Sequence, residues 1–116
     1  MERITVEQVK EAYKETGLIP TRKYWFFDDE VAGCACALTA ISAQKDPSFR
    51  DTLGEREDDE YCPLIQNITG LSFDYIDGFT QGFDTPEYKS EHRDQDFQNG
   101  FEDGAAAWKL VEECEI

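Results

Sequence analysis

Two cysteines in the string GCACAL are the residues of this chain best suited to nucleophilic chemistry. Cys34 and Cys36 become strong nucleophiles as thiolates, which form when a nearby base or a helix N-terminus lowers the thiol pKa. His92 is the only histidine in the sequence, and Asp94 or Asp96 could orient its ring. Together these residues define one hypothesis, a thiol-dependent enzyme.

The local pattern argues against an activated thiol. The stretch EVAGCACALTAISAQ places Cys34, Leu38 and Ile41 on one helical stripe, which predicts a buried central helix with both cysteines about a turn inside it. A buried free cysteine usually behaves as a small hydrophobic residue, and a strongly negative protein favours the thiol over the thiolate. We therefore expect no catalytic residue and keep the thiol enzyme as the alternative.

Metal binding is disfavoured by spacing. Cys34, Cys36, Cys62 and His92 are four possible zinc ligands, but there is no CxxC pair, and a CxC within a helix points its side chains apart. The string DQDFQNGFED resembles a calcium loop starting at Asp94, yet its glycine falls at the wrong position and the closing Glu is absent. We expect neither a metal nor a cofactor.

The charge of the chain points to a basic partner. Its 116 residues contain 26 Asp and Glu against 11 Lys and Arg, a formal net charge of −15. Nucleic-acid binders need a basic footprint, so direct nucleic-acid binding is disfavoured, and so is binding to acidic membranes. The first 23 residues are nearly balanced, which leaves −16 on the remaining 93.

The acidic residues concentrate in two segments, 51–60 and 84–103, each with a net charge of −5. We expect these segments to supply the contacts to a basic protein surface. The candidate partner-binding residues are Glu57, Asp58, Asp59, Glu60, Glu91, Asp94 and Asp96.

The chain has the size and composition of one folded domain spanning residues 1–116. Hydrophobic residues make up 40 %, too many for a disordered chain. The start, MERITVEQVK, lacks the apolar run of a signal peptide, and no stretch reaches membrane-spanning length. The sequence therefore predicts a cytoplasmic protein with reduced cysteines and leaves the oligomeric state, a homodimer included, open.

Helix signals recur along the chain. Thr5, Gln8 and Gly17 supply a capping box and a C-terminal glycine for the first helix, and Ser72 is suited to cap a helix of about residues 73–83. Pro63 is expected at the first position of a short helix, and the core-facing part of the last helix is expected to begin near residue 94. Residues 23–27, KYWFF, are expected to be extended over the core, and the acidic segment 51–60 to be a mobile loop.

An internal echo raises a structural question. YIDGFTQGF, from residue 75, returns 22 positions later as FQNGFEDGA, which aligns Gly78 with Gly100 and Gly82 with Gly104. Two glycines on one helical face cost about 1 kcal/mol each relative to alanine, so they need a reason. We expect the two glycine faces to pack on each other, with Phe79 and Phe101 crossing between them; a ligand groove is the alternative.

These patterns predict a mainly α fold, a compact bundle of four to five helices with one short extended aromatic segment near residues 23–27. The predicted function is a non-catalytic acidic interaction protein that binds a basic partner surface. Inhibitors, immunity proteins and DNA mimics are similar in size and charge, a resemblance of composition without a shared motif.

Overall fold

The computed structural model describes residues 3–28, 33–87 and 94–113. Within these ranges the chain forms six α-helices and three short strands, so the predicted mainly α fold is confirmed. None of the helices in these ranges combines the length and the apolar composition that crossing a membrane requires. In chain order the elements are α1 (Val6–Thr16), β1 (Ile19–Pro20), β2 (Phe26–Asp28), β3 (Gly33–Ala35), α2 (Ala37–Lys45), α3 (Pro47–Asp51), α4 (Asp58–Thr69), α5 (Phe73–Asp84) and α6 (Gln95–Glu112).

Helix α1 has the predicted ends. The Thr5 hydroxyl accepts a hydrogen bond from the Gln8 N–H at 3.2 Å, and the Gln8 side chain accepts one from the Thr5 N–H at 2.9 Å. Gly17 ends the helix in the left-handed region, at φ 72°, where its N–H reaches the Tyr13 carbonyl. Both ends thus satisfy backbone groups that a helix leaves without partners.

The aromatic segment is extended as predicted, but it belongs to a sheet. Strand β2 pairs antiparallel with β3, and β1 pairs parallel with the other side of β3, so the sheet order is β1-β3-β2. Ile19 and Phe27 are both register partners of Cys34. The sequence offered no obvious partner for a strand here, because the partner lies within the stretch that reads as helix.

The predicted central helix begins later than expected. Helix α2 starts at Ala37, Cys36 is its N-cap residue, and Cys34 lies in β3. The helical stripe that included Cys34 was therefore wrong at its start. Pairing with two strands distant in sequence outweighs the local helical pattern of residues 33–35, since β structure depends on tertiary context.

The acidic segment 51–60 is not one loop. Its last three residues, Asp58 to Glu60, form the first turn of α4, where Glu57 and Glu60 make a capping box. Acids in a first turn are stabilised by the positive helix end. Pro63 lies inside α4 rather than at its start, and it is exposed, so water can hydrate the carbonyl that its missing N–H leaves unbonded.

The core lies between α1, α2, α4 and α5. Leu38, Ile41 and Phe79 are almost completely buried, as predicted. Trp25 packs over the core as expected and stacks on Tyr61 with ring centroids 6.1 Å apart. The predicted core members near the end of the chain are only partly buried; these are Phe101, Trp108 and Val111.

The echo is a helix contact at backbone distance. A Cβ added to any of Gly78, Gly82, Gly100 or Gly104 would lie within 3.0 Å of a backbone carbonyl of the other helix, closer than real Cβ atoms come. The predicted packing of the glycine faces is thereby confirmed. The predicted crossing of phenylalanines is wrong, because a carbonyl group rather than a ring occupies each glycine position.

The contact also fixes the direction of the two helices. Gly78 faces the backbone of Phe97, and Gly82, one turn later, faces Phe101, one turn later on the other helix. The helices α5 and α6 therefore run parallel. The reciprocal contacts follow the same shift of 22 residues, since Gly100 faces Tyr75. The two copies of the motif are thus related by an approximate twofold axis along the helices.

We expect Gly100→Ala to destabilise the protein, although alanine is the better helix former. The new methyl group would meet the carbonyl and amide atoms of α5, and overpacking of this kind costs about 1–3 kcal/mol. The melting temperature should fall by several degrees, measured by circular dichroism. Ala106→Gly, at an exposed position of α6, is the control for helix propensity alone. A Gly100→Ala protein that melts above the wild type would contradict the close contact.

Candidate functional site

The parallel helices bring acidic residues from two segments of the chain to one end of the molecule. Ser72 is the N-cap of α5 and accepts a hydrogen bond from the Tyr75 N–H, while its hydroxyl donates to the Asp96 carboxylate at 3.1 Å. Asp94 is the N-cap of α6 and accepts from the Phe97 N–H at 3.0 Å. The first turns of both helices therefore lie side by side.

Asp74 completes this acidic end. Its carboxyl group is hydrogen-bonded with that of Asp94, and the charges of Asp94, Asp96 and Asp77 act on it as well. These neighbours raise the pKa of the Asp74 carboxyl above its usual value, the hydrogen bond with Asp94 being the largest cause. We call Asp74, Asp94 and Asp96 the paired-helix cluster. Its carboxylates repel one another, so a positive group placed there would be stabilised.

A second acidic group lies at the start of α4. Glu57, Asp58, Asp59 and Glu60 are all exposed, and we call them the α4 cluster. The Glu57 and Glu60 carboxylates are used in part for the capping box, whereas Asp58 and Asp59 point no recorded hydrogen bond or ion pair at other described residues. Sequence and structure agree on these four residues as an exposed acidic surface.

The structure thus brings together Asp94 and Asp96 and keeps the α4 cluster on a separate helix. Glu91 and His92 lie outside the described residues. Asp74 was missed as a site residue, although the echo contained the signal. A shift of 22 residues aligns Asp74 with Asp96, and only the parallel register of the two helices makes that alignment a spatial neighbourhood.

Ion pairs compensate few of these charges. Among the described residues they involve only Arg3, which pairs with Asp103 at 2.9 Å and Glu102 at 3.2 Å. Asp103 also accepts from the Tyr75 hydroxyl at 2.6 Å, and that hydroxyl accepts from the Ile4 N–H at 2.8 Å. Asp103 therefore fastens the start of the chain to α5 and α6, and it is not an available partner contact.

The thiol hypothesis meets a different environment from the one it requires. Cys36 is only 6 % exposed, and burial raises the pKa of its thiol to about 11, despite its position at a helix N-terminus. Thr39 and the Leu38 N–H act in the opposite direction but do not outweigh burial. At neutral pH Cys36 is therefore a thiol, and the nucleophilic thiolate is disfavoured.

Cys36 shares a small cavity with an acid rather than with a base among the described residues. The cavity measures about 160 Å³ and is lined in part by Trp25, Thr80 and Asp84. The negative charge of Asp84 raises the thiol pKa further. Cys34 is half-buried in β3, and Asp94 belongs to the paired-helix cluster. The described part of the proposed catalytic set is thus divided between two places.

Asp84 is a half-buried carboxylate with a structural role. It accepts a hydrogen bond from the Lys23 N–H at 2.9 Å, and Lys23 has a left-handed backbone with φ 68° that aims this N–H. Next to it, the Arg22 guanidinium donates to the Phe83 carbonyl and lies 3.7 Å from the centre of the Trp108 ring. These contacts hold the connection between β1 and β2 against the C-terminal end of α5.

Metal chelation finds no support in the arrangement of side chains. Across the three described ranges, no group of three or more His, Cys, Asp and Glu residues is arranged to hold a metal ion. The paired-helix cluster is therefore better suited to hydrogen bonding with a cationic side chain than to enclosing a cation.

Cysteine labelling tests the inactive-thiol interpretation. We expect Cys36 to resist iodoacetamide at pH 7 until the protein unfolds, because it is buried and its thiol pKa is raised. Cys34 and Cys62 are half-buried and should react earlier, with rates measured by peptide mass spectrometry. Labelling in urea supplies the control in which all sites are accessible. Rapid labelling of native Cys36 would instead show an activated thiol.

Neutralising Asp84 should stabilise the protein at pH 7. Burial raises the pKa of this carboxyl, so the folded state holds its proton more tightly than the unfolded chain, and stability falls as the pH rises through the folded pKa. Asp84→Asn keeps an oxygen that can accept from the Lys23 N–H. Its melting temperature should exceed that of the wild type at pH 7, and the difference should vanish below about pH 4, near the unfolded pKa.

Asp58→Asn is the matched control for this substitution, because it removes a first-turn carboxylate that favours the helix. Its effect at pH 7 should be small and opposite in sign. An Asp84→Asn protein that melts below the wild type at pH 7 would show that the cationic neighbours outweigh burial.

Comparison with known proteins assigns no family to the chain. No family model, curated protein or solved structure matches it. What the protein does is therefore argued from its charges, burial and contacts.

Proposed function

We propose that this protein is a non-catalytic acidic interaction protein that binds a basic surface of a partner protein, in the manner of an inhibitor, an immunity protein or a DNA mimic. The observation that carries the proposal is a net charge of −15 that the fold does not compensate internally. Among the described residues, ion pairs involve a single cation, Arg3. The other carboxylates are balanced by mobile ions, which a basic partner can displace.

The first supporting argument is the surplus charge of the paired-helix cluster. Two helix N-termini together present about one positive charge, since each macrodipole is equivalent to about half a charge. Asp74, Asp94 and Asp96 carry up to three negative charges, and one proton is held more tightly because the pKa of Asp74 is raised. The cluster therefore has more negative charge than helix capping requires, and a Lys or Arg side chain would offset it.

The second argument is the exposure of the α4 cluster. Its four carboxylates are consecutive and exposed, so they can approach a partner without rearrangement. Exposed charges of this kind mainly accelerate association and set its salt dependence. A surface that recognises phosphates with Lys and Arg presents the same donors that carboxylates accept from, which is the physical basis of DNA mimicry.

Charge neutralisation at matched positions tests the proposal. We expect Asp58→Asn/Asp59→Asn and, separately, Asp94→Asn/Asp96→Asn to reduce capture of basic proteins from a cell lysate, measured by affinity purification and mass spectrometry. Asparagine preserves the cap at position 94. The control is Glu7→Gln/Glu11→Gln, which removes the same charge from the exposed face of α1.

The capture should weaken between about 50 and 200 mM salt, because surface charges are screened over about 10 Å or less. Circular dichroism melting checks that each variant folds. If all three variants retain the same captured proteins at both salt concentrations, the acidic surface is not the recognition element and the proposal is wrong.

A further inference from the structure

An apolar groove of about 460 Å³ lies between α1 and β1. Its lining includes the buried side chains of Tyr13 and Leu18 and, beside them, Ile19 and Pro20. Its volume falls within the range of small-molecule sites in proteins, about 300–1,000 Å³. It lies on elements that supply none of the acidic clusters described above.

The groove is open because α1 ends in a glycine. Gly17 lines it, and a Cβ added to Gly17 would have no neighbouring atom within 4 Å. The left-handed backbone at this position, φ 72°, is the conformation that favours glycine. The end of the helix therefore leaves the space above Leu18 and Ile19 free of side chains.

Two lysines supply the charge that the groove presents. Lys10 and Lys14 both line it, both are exposed, and they lie one helical turn apart on α1. Neither forms an ion pair with another described residue. In a chain with a net charge of −15, this makes the groove a place where an anion finds two ammonium groups beside an apolar surface.

Pro20 disfavours a peptide strand as the occupant. Strand β1 is at an edge of the sheet, and adding a strand to an edge depends on main-chain hydrogen bonds. Pro20 has no N–H, and proline at an edge is a common means of preventing strand addition. Recognition at this groove must therefore rely on the lysine side chains and on apolar contact.

We propose that the groove binds a small amphipathic carboxylate. The carboxylate would lie between the ammonium groups of Lys10 and Lys14, and the hydrocarbon part would contact Tyr13, Leu18 and Ile19. Longer chains have further apolar surface to cover, because Ile19 is 44 % exposed and its cross-strand row continues through Cys34 to Phe27, which is 50 % exposed. Affinity should therefore increase with chain length.

Octanoate is the probe, and its dissociation constant is measured by calorimetry and by chemical shift changes at about 150 mM salt, where charges beyond about 8 Å are largely screened. We expect Lys10→Gln/Lys14→Gln to weaken binding by about tenfold or more, since charge-assisted hydrogen bonds are lost. Lys45→Gln/Lys109→Gln removes the same charge from exposed positions elsewhere and should change the affinity by less than about twofold. Octanamide, which lacks the charge, should bind at least about tenfold more weakly than octanoate.

The proposal is overturned if octanoate does not bind, or if both lysine pairs lower its affinity equally, because the groove would then have no special role. Binding of an acidic, leucine-containing peptide in place of octanoate would overturn it in favour of a protein partner. Ile19→Ser gives a further check without a charge change, and it should weaken decanoate more than hexanoate. None of these measurements involves the acidic clusters, so they stand apart from the capture experiment.

Discussion

The approach of α5 and α6 at backbone distance is the constraint on which the arrangement of this protein depends. Four glycines are required, and each costs about 1 kcal/mol of helix propensity. Their removal of side chains lets the carbonyls of Tyr75 and Phe97 point at the Cα hydrogens of the facing helix, a recurring weak hydrogen bond at helix interfaces. Because every carbonyl contact is matched by its counterpart 22 residues away, the helices are held parallel and in register.

Parallel packing has an electrostatic cost that the sequence offsets. Two parallel macrodipoles place like partial charges side by side at each end. Asp74, Asp94 and Asp96 lie at the positive end, and Arg22 lies at the negative end of α5, where it donates to the Phe83 carbonyl. The rings of Tyr75, Phe79 and Phe83 then line α5 on the core side, and the Tyr75 hydroxyl binds the start of the chain. The glycine contact, the charges and the core are thus parts of one arrangement.

Local signals predicted the helix ends well and the strands poorly. Thr5, Ser72 and Asp94 cap helices where the sequence placed them, because capping depends on residues three positions apart. Cys34 was assigned to a helix because its spacing from Leu38 and Ile41 is helical, and no local signal shows that Ile19 and Phe27 pair on either side of it. The start of α4 was missed because its acids read as a charged loop, although Glu57 and Glu60 contain the capping box.

The candidate sites follow the same division. Exposed acids such as Asp58 and Asp59 are visible from composition and position, whereas the addition of Asp74 to Asp94 and Asp96 needs the parallel register, and the burial that keeps Cys36 a thiol needs the strand before it. The acid pairs are tolerated because helix dipoles and solvent share their charge. The lysines of the groove lie on α1, in the one segment whose charges nearly balance. The fold therefore separates an acidic surface built by helix N-termini from a cationic, apolar surface built by a helix C-terminus, and opposite partners can approach the two without competing for the same residues.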